Sequence, residues 1–456
     1  MDAKELVGRK VLVIGTGISG IGSTKLLGKV GAIPVILEEN KNVYEREIRT
    51  KLEGYKGDDP QIIIGELPED VLKELALVVP SPAVPMDSPI MTRLIGAGLP
   101  VWSEIELAFN FAKGRMVAIT GTNGKTTTTT LVGEIMKAHF ASTYVVGNIG
   151  YSYAERALEM TDDTISIGEI SSFQLEAVDN FHANVSAILN ITPDHLNRHH
   201  TMECYVEMKE NITHNQTKDD VCVLNYDNEY TRDFASRCPA RVVLFSTEEK
   251  LENGYYLEGE EIMLAENGTS VRVMNIHDMN LVGTCNIQNV MAAIAMGRAM
   301  DVPMETILHV VKNFKAVEHR IEFVATKNGV DYYNDSKGTN PDAAIQGIKA
   351  MCKPTYLIGG GYDKGSEYDE WIQAFDGKVK KLVLIGATKE KIAECADKNG
   401  FHDYVFMDSY DAALKFCTEN AASGEAVLLS PACASWDMFP SYEVRGKQFK
   451  DYVNSL

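Results

Sequence analysis

Thr120-Gly121-Thr122-Asn123-Gly124-Lys125-Thr126-Thr127 decides the fold, because it follows the apolar run Met116-Val117-Ala118-Ile119 and opens a helix-length segment. A strand, a Gly-rich turn and a helix start form a cradle in which successive backbone N–H groups meet phosphate oxygens. Lys125 can neutralise β/γ-phosphate charge, and the Thr126 hydroxyl can hold Mg²⁺. Ile119 stands where a full P-loop has its first Gly, so the match is to the shorter GxxGK[ST] form. Lys-Thr after the second Gly has no capping purpose, which sets the phosphate reading above a plain turn. The threonines through Thr130 are poor helix formers, so the run points to hydroxyl chemistry or tight packing.

Outward from this loop, short β-rich runs alternate with helical patterns, which predicts an α/β fold with mostly parallel sheets. Val11–Ile14, Pro34–Leu37 and Leu77–Val79 come before the loop; Ser186–Leu189 and Val221–Leu224 come after it. A third series comprises Thr355–Ile358, Leu382–Ile385 and Ala426–Leu429. Segment 247–275 is polar and reads as hairpins or a surface excursion. The 456 residues suggest roughly three domains, with boundaries expected near 103 and 316. A composition of 45% hydrophobic and 24% charged residues excludes global disorder and fibrous chains. The net charge of −20 makes nucleic acid and anionic membranes poor partners. No run reaches the roughly 18 apolar residues that span a bilayer. Met1-Asp2-Ala3-Lys4-Glu5 starts no signal-peptide pattern, so a cytoplasmic protein is expected. The eight cysteines, Cys352 among them, form no CxxC pair and read as reduced thiols.

Three further constellations carry chemistry. Gly15-Thr16-Gly17-Ile18-Ser19-Gly20 matches GxGxxG between a strand and a helix, with Glu38 and Glu39 ending the next strand. That pattern seats a pyrophosphate on a helix N-terminus without naming its nucleotide; alone it suggests NAD. Glu169, in Gly168-Glu169-Ile170-Ser171-Ser172-Phe173-Gln174, and His195, in Asn190-Ile191-Thr192-Pro193-Asp194-His195, both follow strand-like runs. Lys209 lies on a predicted helix, where a lysine reads most simply as part of a solvated face.

The TGTNGKT string and these later motifs resemble the Mur ligases of peptidoglycan synthesis and their folylpolyglutamate synthase relatives, over nearly the whole chain. The closest pattern is that of the D-glutamate-adding members. The resemblance implies three domains. Residues 1–103 would be a Rossmann-like domain for a UDP-sugar, 104–316 a P-loop ATPase-like domain, and 317–456 a Rossmann-like domain for the amino acid. It makes Thr126, Glu169, His195 and Lys209 ligands for Mg²⁺, two ions being expected, with Lys209 carbamylated by CO₂. A carbamate reverses the lysine's sign and offers a hard metal its oxygen. Lys125, Glu169, His195 and Lys209 are then the catalytic set.

By the same resemblance, ATP would be held by Gly121, Thr122, Asn123, Gly124, Lys125, Thr126 and Thr127. Asn286 and Asn289, in Gly283-Thr284-Cys285-Asn286-Ile287-Gln288-Asn289, would lie at the adenine side, although Cys285 replaces the usual His. Arg320, Asp335 and Lys337 would also face ATP, the latter two in Asn334-Asp335-Ser336-Lys337-Gly338-Thr339-Asn340, where Gly338 replaces the usual Ala. The UDP-sugar would meet Gly15, Thr16, Gly17, Ile18, Ser19, Gly20, Glu38, Ser81, Asn148 and Ser171. Ala83 departs from the family's SPGIP turn, and an Ala at φ > 0 would alter that turn locally. Thr339, Lys364, Ser435 and Tyr442 would take D-glutamate; Ser435 belongs to the string Ser430-Pro431-Ala432-Cys433-Ala434-Ser435, and the DNPR-type string of diamino-acid-adding members is absent.

The implied reaction activates the carboxylate of UDP-N-acetylmuramoyl-L-alanine as an acyl phosphate, which the amino acid's amine attacks. Excluding water from that intermediate favours closure between domains. A monomer acting on small molecules is expected. Another Mur ligase or a folylpolyglutamate synthase is the nearest alternative. An NAD-dependent oxidoreductase would use Gly15–Gly20 but leave the phosphate loop idle. A non-catalytic nucleotide-binding regulator would leave Glu169, His195 and Lys209 unexplained.

Overall fold

The computed structural model describes residues 3–315, 317–351 and 353–456. Met1 and Asp2, the boundary position 316 and the Cys352 thiol lie outside the described residues. Contacts divide the chain into two compact units, Met1–Val273 with Met291–Val310, and Met274–Val290 with Val311–Leu456.

The first unit contains two sheets. The N-terminal one comprises β1 (Lys10–Ile14), β2 (Ile33–Glu38), β3 (Gln61–Ile64) and β4 (Leu75–Pro80), in the order β3-β2-β1-β4. All its pairings are parallel. The second comprises β5 (Arg115–Thr120), β6 (Thr143–Gly147), β7 (Ile165–Glu169), β8 (Val185–Ile188), β9 (Val221–Asn225), β10 (Arg241–Ser246), β11 (Gly254–Glu258), β12 (Glu261–Glu266) and β13 (Thr269–Asn275). Their order is β13-β12-β11-β10-β9-β8-β5-β7-β6. The polar 247–275 segment does form a hairpin, β11 against β12, which extends this sheet. β5, β7, β8 and β9 are mostly apolar and nearly every residue in them is buried, as in parallel strands covered on both faces. Leu6, Val11, Val13, Leu26, Leu77 and Val79 share one buried cluster with Trp102, Ile105, Met116, Ala118, Ile188 and Leu224. At about 1.5–3 kcal/mol per buried aliphatic side chain, that cluster ties the two sheets into one core.

The second unit carries β14 (Glu322–Lys327), β15 (Val330–Asn334), β16 (Thr355–Gly359), β17 (Val379–Leu384), β18 (Tyr404–Phe406) and β19 (Ala426–Leu429). Their order is β14-β15-β19-β16-β17-β18. Only the edge pair β14–β15 is antiparallel among them.

Ligand sites in open α/β sheets lie beyond the carboxyl ends of strands, where the strand order switches direction. β5 is such a point: β7 lies on one side and β8 on the other, with Ile119 paired to Glu169 and Thr120 to Ile188. β1 is another, with Ile14 between Leu37 and Pro80. In the second unit Asn334 and Ile358 both pair with Leu429, so the loops after β15, β16 and β19 emerge side by side.

Candidate functional site

The phosphate loop leaves β5 through Gly121 at φ 150° and enters the helix Lys125–His139 through Gly124 at φ 84°. A Cβ on Gly121 would stand 3.1 Å from Leu189 Cβ, so glycine also permits the close approach of the next strand's end. Asn190, just beyond β8, braces the loop: its Oδ1 accepts from Asn123 N at 2.8 Å, and its Nδ2 donates to Asn123 O at 3.1 Å. The Thr122 hydroxyl lies 3.2 Å from both Thr192 O and the Tyr205 hydroxyl. Lys125 Nζ folds back to donate to Gly121 O and Thr122 O, each at 2.8 Å. Thr126–Thr129 are buried, so much of the threonine run serves packing at the start of the helix.

Glu169 ends β7 beside this loop and is buried. Its Oε1 accepts from Asn148 Nδ2 at 2.8 Å, and Asn148 N donates to Glu169 O at 2.9 Å. Its Oε2 is buried with no hydrogen-bond partner among the described residues. Leaving a carboxylate oxygen unsatisfied costs free energy, and a cation would relieve it. His195 precedes the short helix Leu196–His199 with φ 54°, and its ring meets that of Phe173 edge-on at 5.0 Å. Among the described residues no three His, Cys, Asp or Glu side chains gather as a ready cage. A cation here would therefore rely on Glu169, His195, the Thr126 hydroxyl and oxygens of the nucleotide, a set that suits Mg²⁺.

Lys209 departs most from its simple reading. It is 1% exposed on the helix Met202–Glu210, not on a solvated face. Its Nζ donates to Gly121 O at 2.8 Å and sits 4.5 Å from the centre of the Tyr205 ring. Burial, and then the nearby Lys125, hold its pKa well below the usual lysine value. A neutral buried amine keeps a lone pair, which an ammonium lacks.

Arg198 Nε and Nη2 grip Glu176 at 3.0 and 2.6 Å, and Nη2 also donates to Val84 O at 2.8 Å. A small cavity there is lined by Ser81, Pro82, Val84, Phe173, Gln174 and Arg198 among others. Ser171 N and Oγ both donate to Gln174 Oε1, at 2.9 and 3.0 Å. Ser81 Oγ is buried without a hydrogen-bond partner among the described residues and lies beside Gly15. Ala83 is not among the described positive-φ residues, so this turn does not demand glycine. Across β1, the Thr16 hydroxyl donates to Glu38 Oε2 at 2.5 Å, and Lys51 Nζ donates to Thr16 O at 3.0 Å. Gly17 caps the helix Ile18–Lys29. A Cβ on Gly20 would stand 2.0 Å from Gly15 O, so the third glycine is set by helix-to-loop packing.

In the second unit, Asp335 is buried, accepting from Ser430 Oγ at 2.7 Å and from Ile321 N at 3.2 Å. Burial pushes its pKa up to about 7. Lys337 Nζ lies 4.9 Å from the Tyr442 ring centre, and Lys364 Nζ lies 5.1 Å from that of Trp436. Thr339 N donates to Lys337 O at 2.8 Å. Ser435 Oγ is buried without a hydrogen-bond partner among the described residues. Asn286 Nδ2 donates to Val282 O at 2.8 Å, and Asn289 Nδ2 to Asn286 Oδ1 at 3.2 Å. Cys285 packs against the core of this unit, and burial pushes its thiol up to about 12. Arg320 acts electrostatically on both Cys285 and Asp335.

Sequence reasoning missed Arg445 as a site element. It is fully buried: Nε donates to Ser336 Oγ at 3.0 Å, Nη2 to Ser336 O at 2.8 Å, and Nη1 and Nη2 to Cys433 O at 3.3 Å. It thereby joins the loop carrying Lys337 to the loop carrying Ser435. The departure at Gly338 also has a local reason. A Cβ there would stand 2.6 Å from Asp335 Oδ2 and 3.0 Å from Ser430 Oγ. Gly338→Ala is expected to destabilise the second unit by about 1–3 kcal/mol, through overpacking against a carboxylate that cannot retreat from its two donors. Urea denaturation checks this; an unchanged midpoint would show that the loop yields freely.

Residues 119–297 match the family model described as the Mur ligase middle domain, and residues 319–433 match that of the Mur ligase glutamate ligase domain. The UDP-N-acetylmuramoylalanine–D-glutamate ligase of Lachnospira eligens is 56% identical over 452 residues, covering 99% of this chain and 100% of that one. The protein of the same name from Clostridioides difficile is 46% identical over 454 residues, with 99% and 100% covered. Among solved structures, the UDP-N-acetylmuramate-alanine ligase of Thermotoga maritima superposes with a TM-score of 0.60 at 18% identity, covering 98% of this chain and 99% of that one. A pseudomurein peptide ligase type C from Methanothermus fervidus gives 0.59 at 17% identity, with 98% and 100% covered. At these identities the two structures speak to the fold alone.

Proposed function

Since the chain belongs to the Mur ligase family, we propose that it joins D-glutamate to UDP-N-acetylmuramoyl-L-alanine at the expense of ATP. It is an ATP-dependent, amide-forming ligase of peptidoglycan precursor synthesis. One observation carries the chemistry: a phosphate loop at a switch point, flanked by the unsatisfied Glu169 Oε2 and by the buried Lys209 amine. In the full reading the three sheets belong to three domains, 1–103, 104–316 and 317–456, the outer two Rossmann-like. The enzyme works as a cytoplasmic monomer on small molecules. No helix of the described residues is long and apolar enough to cross a membrane.

The substrate's alanyl carboxylate is a poor electrophile. Its oxygen attacks the γ-phosphorus of ATP, forming one O–P bond as the bond to the bridging oxygen breaks, and ADP leaves. Lys125 exchanges its two loop carbonyls for phosphate oxygens, and the loop N–H groups of Gly121–Thr127 hold the triphosphate. Asn286, Asn289, Arg320, Asp335 and Lys337 are the residues of the second unit that we assign to ATP. Glu169, His195, Thr126 and Lys209 would hold Mg²⁺, in two ions, which when bound offsets charge on the phosphoryl oxygens. Lys209 would reach its ligating form by adding to CO₂: an N–C bond forms as one C=O π pair moves onto oxygen, a proton leaves nitrogen, and a carbamate results. The amine of D-glutamate then attacks the acyl carbon, phosphate departs from the tetrahedral intermediate, and the nitrogen loses a proton.

Gly15–Gly20, Glu38, Ser81, Asn148 and Ser171 hold the UDP-sugar. Thr339, Lys364, Ser435 and Tyr442 hold D-glutamate, whose two carboxylates require cationic and hydroxyl donors. Phosphate release from ATP is expected only when both the UDP-sugar peptide and D-glutamate are present. L-glutamate or a diamino acid should not replace D-glutamate. Steady-state phosphate assays with each component omitted test this; turnover with L-glutamate in preference would reject the assignment.

A further inference from the structure

Ser172 and His199 form a buried pair that the chemistry above does not use. Ser172 is three residues beyond Glu169, and His199 is one helical turn beyond His195, with His199 N donating to His195 O at 3.0 Å. The Ser172 hydroxyl and His199 Nε2 are 2.9 Å apart, and both residues are buried. The imidazole contacts two rings. Phe173 lies 5.4 Å away at 31°, and Tyr205 lies 5.2 Å away at 35°. Phe173 also meets the His195 ring edge-on at 5.0 Å. On the far side, the Tyr205 hydroxyl reaches Thr122 in the phosphate loop at 3.2 Å. Glu176 Oε1 lies 3.7 Å from His199 Nδ1 and accepts from Arg198 Nε.

Glu169 ends β7, and His195 lies on the turn that follows β8. The ties between Glu169–Phe173 and His195–His199 include the Ser172–His199 hydrogen bond and the contacts of Phe173 with His195, Arg198 and His199. A cation site drawn from two segments needs their spacing held to a few tenths of an ångström, and partners behind the ligands supply that. We propose that His199, clamped by Ser172 and wedged between Phe173 and Tyr205, is the positioning residue that fixes the separation of Glu169 and His195. This rests on the cation assignment made above.

The test is Mn²⁺ binding in the presence of ADP, followed by the loss of free-ion electron paramagnetic resonance signal, in the wild-type protein and in S172A, H199N and H199A. Thermal melting confirms that each variant is folded. Outer partners of metal ligands typically govern affinity by 10–100-fold. S172A and H199A are expected to weaken Mn²⁺ binding by roughly tenfold or more. H199N, whose carboxamide can still meet the Ser172 hydroxyl, should recover part of that loss. Combining S172A with H199A should add little. In kinetics, the Mg²⁺ concentration for half-maximal rate should rise while kcat at saturating Mg²⁺ changes far less. Folded S172A and H199N binding Mn²⁺ as tightly as wild type would overturn the inference. Failure of the wild-type protein itself to bind Mn²⁺ with nucleotide would instead overturn the cation assignment beneath it.

Discussion

Lys209→Ala is expected to lower kcat by on the order of 10²–10³, the usual cost of deleting one preorganised electrostatic group at a phosphoryl or acyl transfer centre. Lys209 is buried against Gly121 O and the Tyr205 ring, and burial and the nearby Lys125 hold its pKa well below the usual lysine value. Lys125 Nζ also donates to Gly121 O, but its place on the loop is needed for phosphate charge, so it does not substitute for Lys209. Arginine should fail as fully as alanine, since it keeps its positive charge and does not add CO₂. Small carboxylates added to Lys209→Ala should restore part of the rate by standing where the carbamate oxygens would be. Steady-state phosphate release measures both effects. A ¹³C resonance of a carbamate in labelled bicarbonate, present in wild type and absent in the variant, identifies the group. Full activity of Lys209→Ala without added bicarbonate or carboxylate would sink the assignment.

Arg445→Met should be the most destabilising single change in the second unit. The guanidinium is completely buried, donates to two backbone carbonyls and one hydroxyl, and has its pKa lowered by burial to about 10. Methionine fills much of the volume but leaves Ser336 O and Cys433 O short of donors. The expected loss is about 2–5 kcal/mol, since two buried carbonyls are left unsatisfied at about 1–3 kcal/mol each. Lysine should not rescue it, because one ammonium cannot span both carbonyls as the planar fork does. Ser336 Oγ also donates to Tyr442 O at 2.8 Å, so the loops bearing Lys337 and Ser435 should slacken together. Urea denaturation reports the stability and the KM for D-glutamate reports the slack. A loss below about 1 kcal/mol would mean that water enters and satisfies both carbonyls.

Much of the fold is legible in the chain because parallel strands covered on both faces must be continuous apolar runs, and β1, β5, β8, β9 and β19 are such runs. The loops at their carboxyl ends are legible for a related reason: glycine spacing and a following lysine are local features, and the conformations at Gly121 and Gly124 follow from them. The interactions that hold the site are not local. Thr122 meets Tyr205 across 83 residues, Ser172 meets His199 across 27, and Arg445 meets Ser336 across 109. No periodicity announces such pairs, since each partner alone looks like an ordinary polar residue. Lys209 illustrates the limit. A lysine on a short amphipathic helix suggests a wet face, and only the packing of Tyr205 and the phosphate loop around it shows otherwise. Ala83 shows the reverse case, where a departure from a family string meets a backbone that never needed glycine.

The continuous apolar cluster running from Leu6 and Val11 through Trp102 to Met116 and Leu224 has a practical bearing on fragment engineering. Excising the leading hundred residues would strip the cover from Ile105, Met116 and their neighbours and leave a sticky, aggregation-prone remnant. The sheet that carries the Gly121–Thr127 loop cannot be harvested as a free-standing module without resurfacing that scar.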